Sequence, residues 1–579
     1  MCHRTSGCKL VGMMGAAGKK RNKHSGFDSY PFPRPSDSEA EIKLIQAVLI
    51  ARFVLSYVHR MNLNQDILWR IFVLSASDQR YNKMSTEPLI TTRRSSQVCH
   101  EWRHIILSSS RIWGRLVLID NEQKVEWIDE VLRRSSTAPL WIHADLTPHW
   151  QTPHKIWPGR TFLFQVLENN WHRIEVMSIK CDMQDQILAG THWEVFHRPA
   201  PMLRVFVASS DRSLSTPCCP GRFVENVSVK KAIFSQTSPV LHAFISNIDL
   251  IRRHTHSFQN MKTLDIYHSA KICQILHSIK EMPLLESLRL HVKHSNRFES
   301  AMPSEVLPVV HLPFLTKLTT ILSITPFLVF FDRIRTPAHC FVSSAVHFHA
   351  QDLVEYPKFG EELQRQLRSI LIKATNALFF TISDTAIRSS GTHFNLAFIY
   401  RYHPMYNFLP KFFSAFKSPS LAFVSNLHLQ ICDTRFSRLD IELALEDFLL
   451  SLDSVTHLHI ADTKTSHNFN YSFGIKFTSS FPNLRTICVN YDMFDASRLS
   501  GYCMGDDDPL VSHILDILQT RRDIGKPLLT VHMRGRKLLS TETITYLCCL
   551  LDHLIGLNVI CEDLSTGKKI EYLCGSVGR

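Results

Sequence analysis

Val455-Thr456-His457-Leu458-His459-Ile460, and after it Leu484-Arg485-Thr486-Ile487-Cys488-Val489, decide how most of this chain is read. In each, an apolar residue is followed three and five positions on by two more. The last two share one face of a strand, because side chains alternate there. The spacing recurs in Met261/Leu264/Ile266, Leu285/Leu288/Leu290 and Val424/Leu427/Leu429, and more loosely in Ile174/Met177/Ile179, Met202/Val205/Val207 and Leu554/Leu557/Val559. Neighbouring clear copies lie 24 to 31 residues apart, close to the length of one strand-turn-helix unit. Turn signals such as Met282-Pro283 and Phe481-Pro482-Asn483 precede some copies. Helical stretches lie between copies or after them, Leu443 to Leu452 and Val511 to Gln519, the latter behind Asp506-Asp507-Asp508-Pro509.

The pattern predicts an α/β domain over 147–579 built of irregular repeats. An asparagine that would satisfy carbonyls after each strand is mostly missing, and Thr325 to Thr381 fits the period loosely, so an α/β domain without true repeats stays open. Val309 to Phe331 is long enough for a bilayer but holds Lys317, Pro313 and Pro326, and is read as two strands and a loop.

The 579 residues are 45% hydrophobic and 20% charged, which excludes a wholly disordered chain. A net charge of +13 favours acidic partners without naming one, and the basic residues are not interleaved with aromatics as in a nucleic-acid module. Fifteen cysteines without a Cys-x-x-Cys pair point to a reducing interior, cytoplasmic or nuclear. Residues 1–36 read as a disordered basic tail, with Lys19, Lys20, Arg21 and Lys23 as a candidate import signal or a solvated run. Residues 37–60 read as a leading amphipathic helix through Ile42, Ile45, Val48, Leu49, Phe53 and Tyr57, with Lys43, Gln46 and Arg52 excluding a membrane span.

Residues 61–120 form the second informative region. Asn62 or Asn64 caps a predicted helix with the apolar stripe Leu63, Ile67, Ile71 and Leu74, widened by Leu68 and Phe72. A polar stretch, Ser75 to Arg94, separates it from a second stripe of Val98, Trp102, Ile105 and Ile106. Ser108-Ser109-Ser110 ends that helix, Trp113 comes after it on a turn, and Leu116 to Ile119 reads as a strand.

Asn62 to Phe72, Gln97-Val98-Cys99-His100-Glu101-Trp102-Arg103 and Arg111-Ile112-Trp113 together resemble an F-box. More narrowly, they are similar to fungal F-box-like proteins with degenerate leucine-rich repeats; Leu63 and Asp66 match the family's opening, with Asn64 where proline is usual. The stretch Trp127 to Leu140 resembles the family's linker, placed at 121–146. The resemblance implies a three-helix F-box-like module followed by an irregular leucine-rich-repeat solenoid. It implies that Leu63, Ile67, Leu68, Ile71, Phe72, Val98 and Trp102 dock a Skp-type adaptor, and through it a cullin-RING ubiquitin ligase. The solenoid would hold an unidentified protein substrate, with no catalytic residue, cofactor or metal in this chain. Trp102 and Trp113 as plain core remain an alternative, as does a standalone repeat scaffold.

One enzymatic rival is spelled out. His100-Glu101-Trp102-Arg103-His104 matches His-Glu-x-x-His, which on a helix sets two imidazoles one turn apart with Glu101 as base. A third zinc ligand would come from Glu122 or Glu126, but the Gly-and-His continuation is missing and Trp102 competes for the buried face. The pairs His254/His256, His347/His349 and His457/His459 are read as ordinary strand histidines.

Overall fold

The computed structural model describes residues 64–77, 87–120, 125–146, 158–181, 191–210, 238–246, 258–268, 272–292, 307–348, 377–382, 386–391, 394–400, 423–431, 439–460, 481–490, 509–535 and 548–576, with a few single residues and short pieces between. The predicted tail 1–36, the predicted helix 37–60, Leu63, His254, His256 and His349 lie outside them. The chain divides into two compact units. Met1–Leu68 with Arg212–Arg222 form the first, whose described part is residues 64–68; Trp69–Asp211 with Phe223–Arg579 form the second. Among the described residues no helix is long and apolar enough to cross a membrane.

Helices α1 (Gln65–Ser77), α2 (Glu87–Ser95), α3 (His100–Ser108) and α4 (Ser110–Gly114) come first. Ser109, extended at φ −88°, ψ 97°, ends α3 and begins α4, as the serine run predicts. The expected polar insert 75–94 supplies the end of α1 and most of α2. Pro88 is accommodated in the first turn of α2, where its missing N–H has no helical acceptor to leave empty, and Thr92 donates back to its carbonyl (2.8 Å).

Strand β1 (Val117–Ile119), helix α5 (Val125–Ser135) and strand β2 (Leu140–Leu146) come next. Segment 121–146, expected as a linker, therefore holds a helix and a strand parallel to β1. Gly114 marks the passage from helices to sheet: a Cβ there would collide with the Pro139 carbonyl oxygen, so glycine lets the two segments close together.

Among the described residues the large sheet has 18 strands. After helix α6 (Pro158–Asn170), strands β3 (Ile174–Cys181), β4 (Val205–Ser210), β5 (Ala243–Ser246) and β6 (Thr263–His268) add in chain order. Helix α7 (Ile272–Lys280), strand β7 (Ser287–Val292), the short β8 (Val310–His311) and β9 (Lys317–Ser323) continue the chain. From β2 to β9 every pairing in the large sheet is parallel. Both strands expected within Val309–Phe331 are present, as β8 and β9, and helix α8 (Ile324–Arg333) takes up the end of that stretch. Pro326 lies in its first turn, where proline is tolerated, and Phe327, Leu328, Phe330 and Phe331 are buried. Strand β10 (Ile334–Arg335) pairs with β8 in a separate two-stranded ladder.

Chain order breaks after β10. Strand β11 (Phe341–Phe348) pairs with β9, then β14 (Phe394–Tyr400) with β11; β13 (Ala386–Gly391) joins β14 and β12 (Ala377–Ile382) antiparallel to both. β12 then carries β15 (Asn426–Ile431), and parallel order resumes through β16 (His457–Ile460), β17 (Thr486–Asn490), β18 (Thr530–Gly535) and β19 (Asn558–Asp563). Antiparallel β20 (Lys569–Leu573) closes the series. Within Thr325 to Thr381, helix α8 and the short β10 stand between β9 and β11, so the described part of that stretch follows no simple period. Helices α9 (Leu439–Leu450) and α10 (Pro509–Asp523) stand where helical periodicity predicts them.

All five clear triplets are buried. A tight turn precedes each: the N–H of Met261, Leu285, Val424, Val455 and Leu484 donates to the carbonyl of Phe258, Met282, Leu421, Leu452 and Phe481, themselves buried. The unit is thus one apolar residue longer than the triplet. The copy expected at Met202/Val205/Val207 is out of phase: Met202 is exposed, and Ala200, Leu203, Phe206 and Ala208 occupy the repeat positions. β4 is apolar on both faces, so alternation gives no phase there. Backbone donors at the strand entrances are met by main-chain carbonyls of the preceding unit. The carbonyls of Arg204, His242, Lys262, Glu286, Ser425, Thr456 and Arg485 each accept two successive N–H groups from the next unit.

Candidate functional site

Asn64 opens α1, its Oδ1 accepting from Asp66 N at 2.9 Å. Of the expected adaptor-docking residues, Leu68 and Phe72 are buried, whereas Ile67 and Ile71 are 48% and 42% exposed; Leu74, on the same predicted stripe but outside the expected docking set, is 68% exposed. Ile67, Ile71 and Leu74 recur at i, i+4 and i+7, one line along the helix. Val98 precedes α3 rather than lying in it and is 47% exposed, and Ile90 and Leu107 are exposed as well. Trp102 is half-buried, its ring edge-on to Phe72 at 5.1 Å between centroids. Trp113 is core: its Nε1 donates to Ile106 O (2.9 Å) and Arg134 lies over its ring at 4.7 Å. Trp69 Nε1 donates to Ser109 Oγ (3.0 Å), and Arg115 reaches Val73 O (3.2 Å) and the Ser77 hydroxyl, so α1 is tied to the residues at both ends of α4.

His100, Glu101 and His104 are exposed on α3, Cys99 capping the helix through Trp102 N (3.5 Å). Among the described residues no three His, Cys, Asp or Glu side chains gather in a way that would hold a metal ion.

A second constellation lies on the sheet face opposite the repeat leucines. The registers Phe379↔His428, His428↔His459, His459↔Cys488 and Cys488↔His532 bring five strands' side chains into one row. Phe379 stacks on His428 (4.0 Å, 16°) and His428 on His459 (4.0 Å, 14°). Thr381, Gln430, Arg534 and Leu564 complete a pocket of about 290 Å³ over this row. Burial, aided by the charge of nearby cations, lowers the His459 pKa to about 4 and also lowers those of His428 and His532. All three are neutral imidazoles at pH 7. Burial pushes the Cys488 thiol up to about 11, leaving it without thiolate reactivity. Glu562 stays ionised: burial raises its pKa, but Lys569, Arg534 and His532 together lower it further. Its carboxylate lies 2.9 Å from Arg534 Nε, 3.0 Å from His532 Nε2 and 3.3 Å from Lys569 Nζ.

His457 and His459 do share a strand face, but His457 is exposed beside Thr456 Oγ1 (2.8 Å) while His459 is in the stack. The row itself has a sequence signal that the triplets conceal. His428, His459, Cys488 and His532 each sit between two buried repeat residues, in Leu-x-Leu, Leu-x-Ile, Ile-x-Val and Val-x-Met. No protein-family model matches the chain, and none of the curated proteins matches it.

Proposed function

We propose that the protein is a non-catalytic adaptor of a Skp-cullin-F-box type ubiquitin ligase, acting in the cytoplasm or nucleus. The helices α1 to α4 serve as the F-box-like module that docks a Skp-type adaptor, and the strand-turn repeats serve as an irregular leucine-rich-repeat solenoid that captures the target. Transfer of ubiquitin is then a matter of proximity, a target lysine being held near a charged conjugating enzyme elsewhere in the complex. The observation that carries this reading is the line Ile67, Ile71 and Leu74: three large apolar side chains on one helix face, 42% or more exposed. A soluble partner groove is the usual destination of such a face.

The test is co-purification of the full chain with a Skp-type adaptor. Ile71→Asp with Leu74→Asp is expected to abolish the complex while leaving the thermal midpoint unchanged, because neither side chain is buried. Failure of the unmodified protein to associate would overturn the reading and favour a standalone repeat scaffold. Peptide cleavage with stoichiometric zinc that is lost in His100→Ala would instead revive the protease.

A further inference from the structure

We propose that the pocket over the Phe379-His428-His459 stack binds an acidic peptide segment, Arg534 taking an Asp or Glu carboxylate while an adjacent aromatic side chain seats against Phe379 and Leu564. The inference rests on the reading of the sheet as a target-capture surface and names what it captures.

Three observations point to that ligand. The pocket, about 290 Å³, suits a side chain or two rather than a cofactor. Its lining combines apolar and ring surfaces with one permanent cation: Phe379 is 46% and Leu564 55% exposed, and Arg534 forms part of the wall. Arg534 is engaged through Nε, by Glu562 Oε2 at 2.9 Å and His532 Nε2 at 3.4 Å. Among the described residues its two Nη groups have no acceptor. A guanidinium presents those two nitrogens as a fork matched to a carboxylate.

Charge decides between anions. Among the described residues, Arg534 and Lys569 against Glu562 leave about one positive charge here, since the imidazoles of His428, His459 and His532 are neutral. One charge suits a monoanion such as a carboxylate, which Arg534 can take beside Glu562. The neutral imidazoles still offer ring surface for stacking and N–H donors without adding charge.

The experiment is fluorescence anisotropy of the full chain with a labelled, acetylated and amidated peptide carrying a central Trp-Glu pair in Gly-Ser flanks. Saturable binding is expected, weakened at least about tenfold by Glu-to-Gln replacement in the peptide and by Arg534→Gln in the protein, the loss of one bidentate charged contact. Thr381→Trp fills the pocket while leaving the Arg534–Glu562 pair intact, and should abolish binding in a protein whose melting is unchanged. Equal binding by the unmodified protein and both variants, or tighter binding of a phosphoserine peptide than of the glutamate one, overturns the proposal. So does absence of saturable binding. Ile71→Asp with Leu74→Asp should leave peptide affinity intact, so loss of adaptor docking and loss of peptide capture are read separately.

Discussion

Phe72 and Trp102 meet edge-on, 5.1 Å between ring centroids at 68°, joining α1 to α3 across the helical region. Phe72 is 5% exposed, whereas Trp102 keeps part of its ring in solvent. Trp102 therefore does two jobs in the adaptor reading, packing on Phe72 and offering its outer edge to a partner. Phe72→Ala is expected to cost about 3–5 kcal/mol, Trp102→Ala less, and the double-mutant cycle should return a coupling of about 0.5–1.5 kcal/mol. Urea titrations of the four proteins measure it; a coupling near zero would mean the rings touch without mutual stabilisation.

Gly114→Ala tests the junction between helices and sheet. Its new Cβ meets the Pro139 carbonyl oxygen, a backbone atom that cannot rotate away. A loss of roughly 1–3 kcal/mol is expected, the range for overpacking a tight site. An unchanged denaturation midpoint would show that α4 and the start of β2 can part without penalty.

Arg521 on α10 is 1% exposed and donates to the carbonyls of Phe481 (3.0 Å), Leu484 (3.3 Å) and Lys526 (3.1 Å), clamping the turn before β17. Burial lowers its pKa, yet a guanidinium remains charged, and these carbonyls are among the acceptors that meet it in the interior. Arg521→Leu takes a donor from each of three carbonyls, of which Phe481 O keeps its bond from Leu484 N. It should destabilise by about 2–5 kcal/mol, and Arg521→Lys should recover only part of that, because an ammonium cannot span three acceptors as a planar fork does.

Acid should weaken the protein between about pH 6.5 and about 4. His143 and His459 both have pKa values lowered to about 4, His143 by burial and His459 by burial with neighbouring positive charge. Unfolded histidines, at about 6.5, bind protons that the folded ones refuse, so stability rises with pH through that window and is lost on descending it. Asp265, raised to about 6 by burial, works in the opposite sense over part of the range but is a single group against several lowered imidazoles. Unfolding midpoints measured from pH 7.5 downward should fall. His143→Leu should flatten the slope, since the buried His143 Nε2 has no hydrogen-bond partner to lose. A profile unaltered by that variant would place the acid sensitivity elsewhere.

Much of this architecture is readable from local spacing. The triplets, the helices 439–450 and 509–523, and the serine break between α3 and α4 depend on alternation, 3.6-residue periodicity and turn chemistry, which neighbours in sequence decide among themselves. The outward face of α1 is a different matter. Ile67, Leu68, Ile71 and Phe72 are equally apolar in the sequence, and burial of Leu68 and Phe72 together with exposure of Ile67 and Ile71 divides them.

What the sequence by itself determined is the mixed α/β character and the buried face of the triplet strands, because a strand that buries every second residue announces its own period. Tertiary structure alone decided the antiparallel insertion of β13, and the row that joins Phe379, His428, His459, Cys488 and His532. Those five side chains are far apart along the chain. They become neighbours through strand register, and register is a choice of partner that no single segment makes alone.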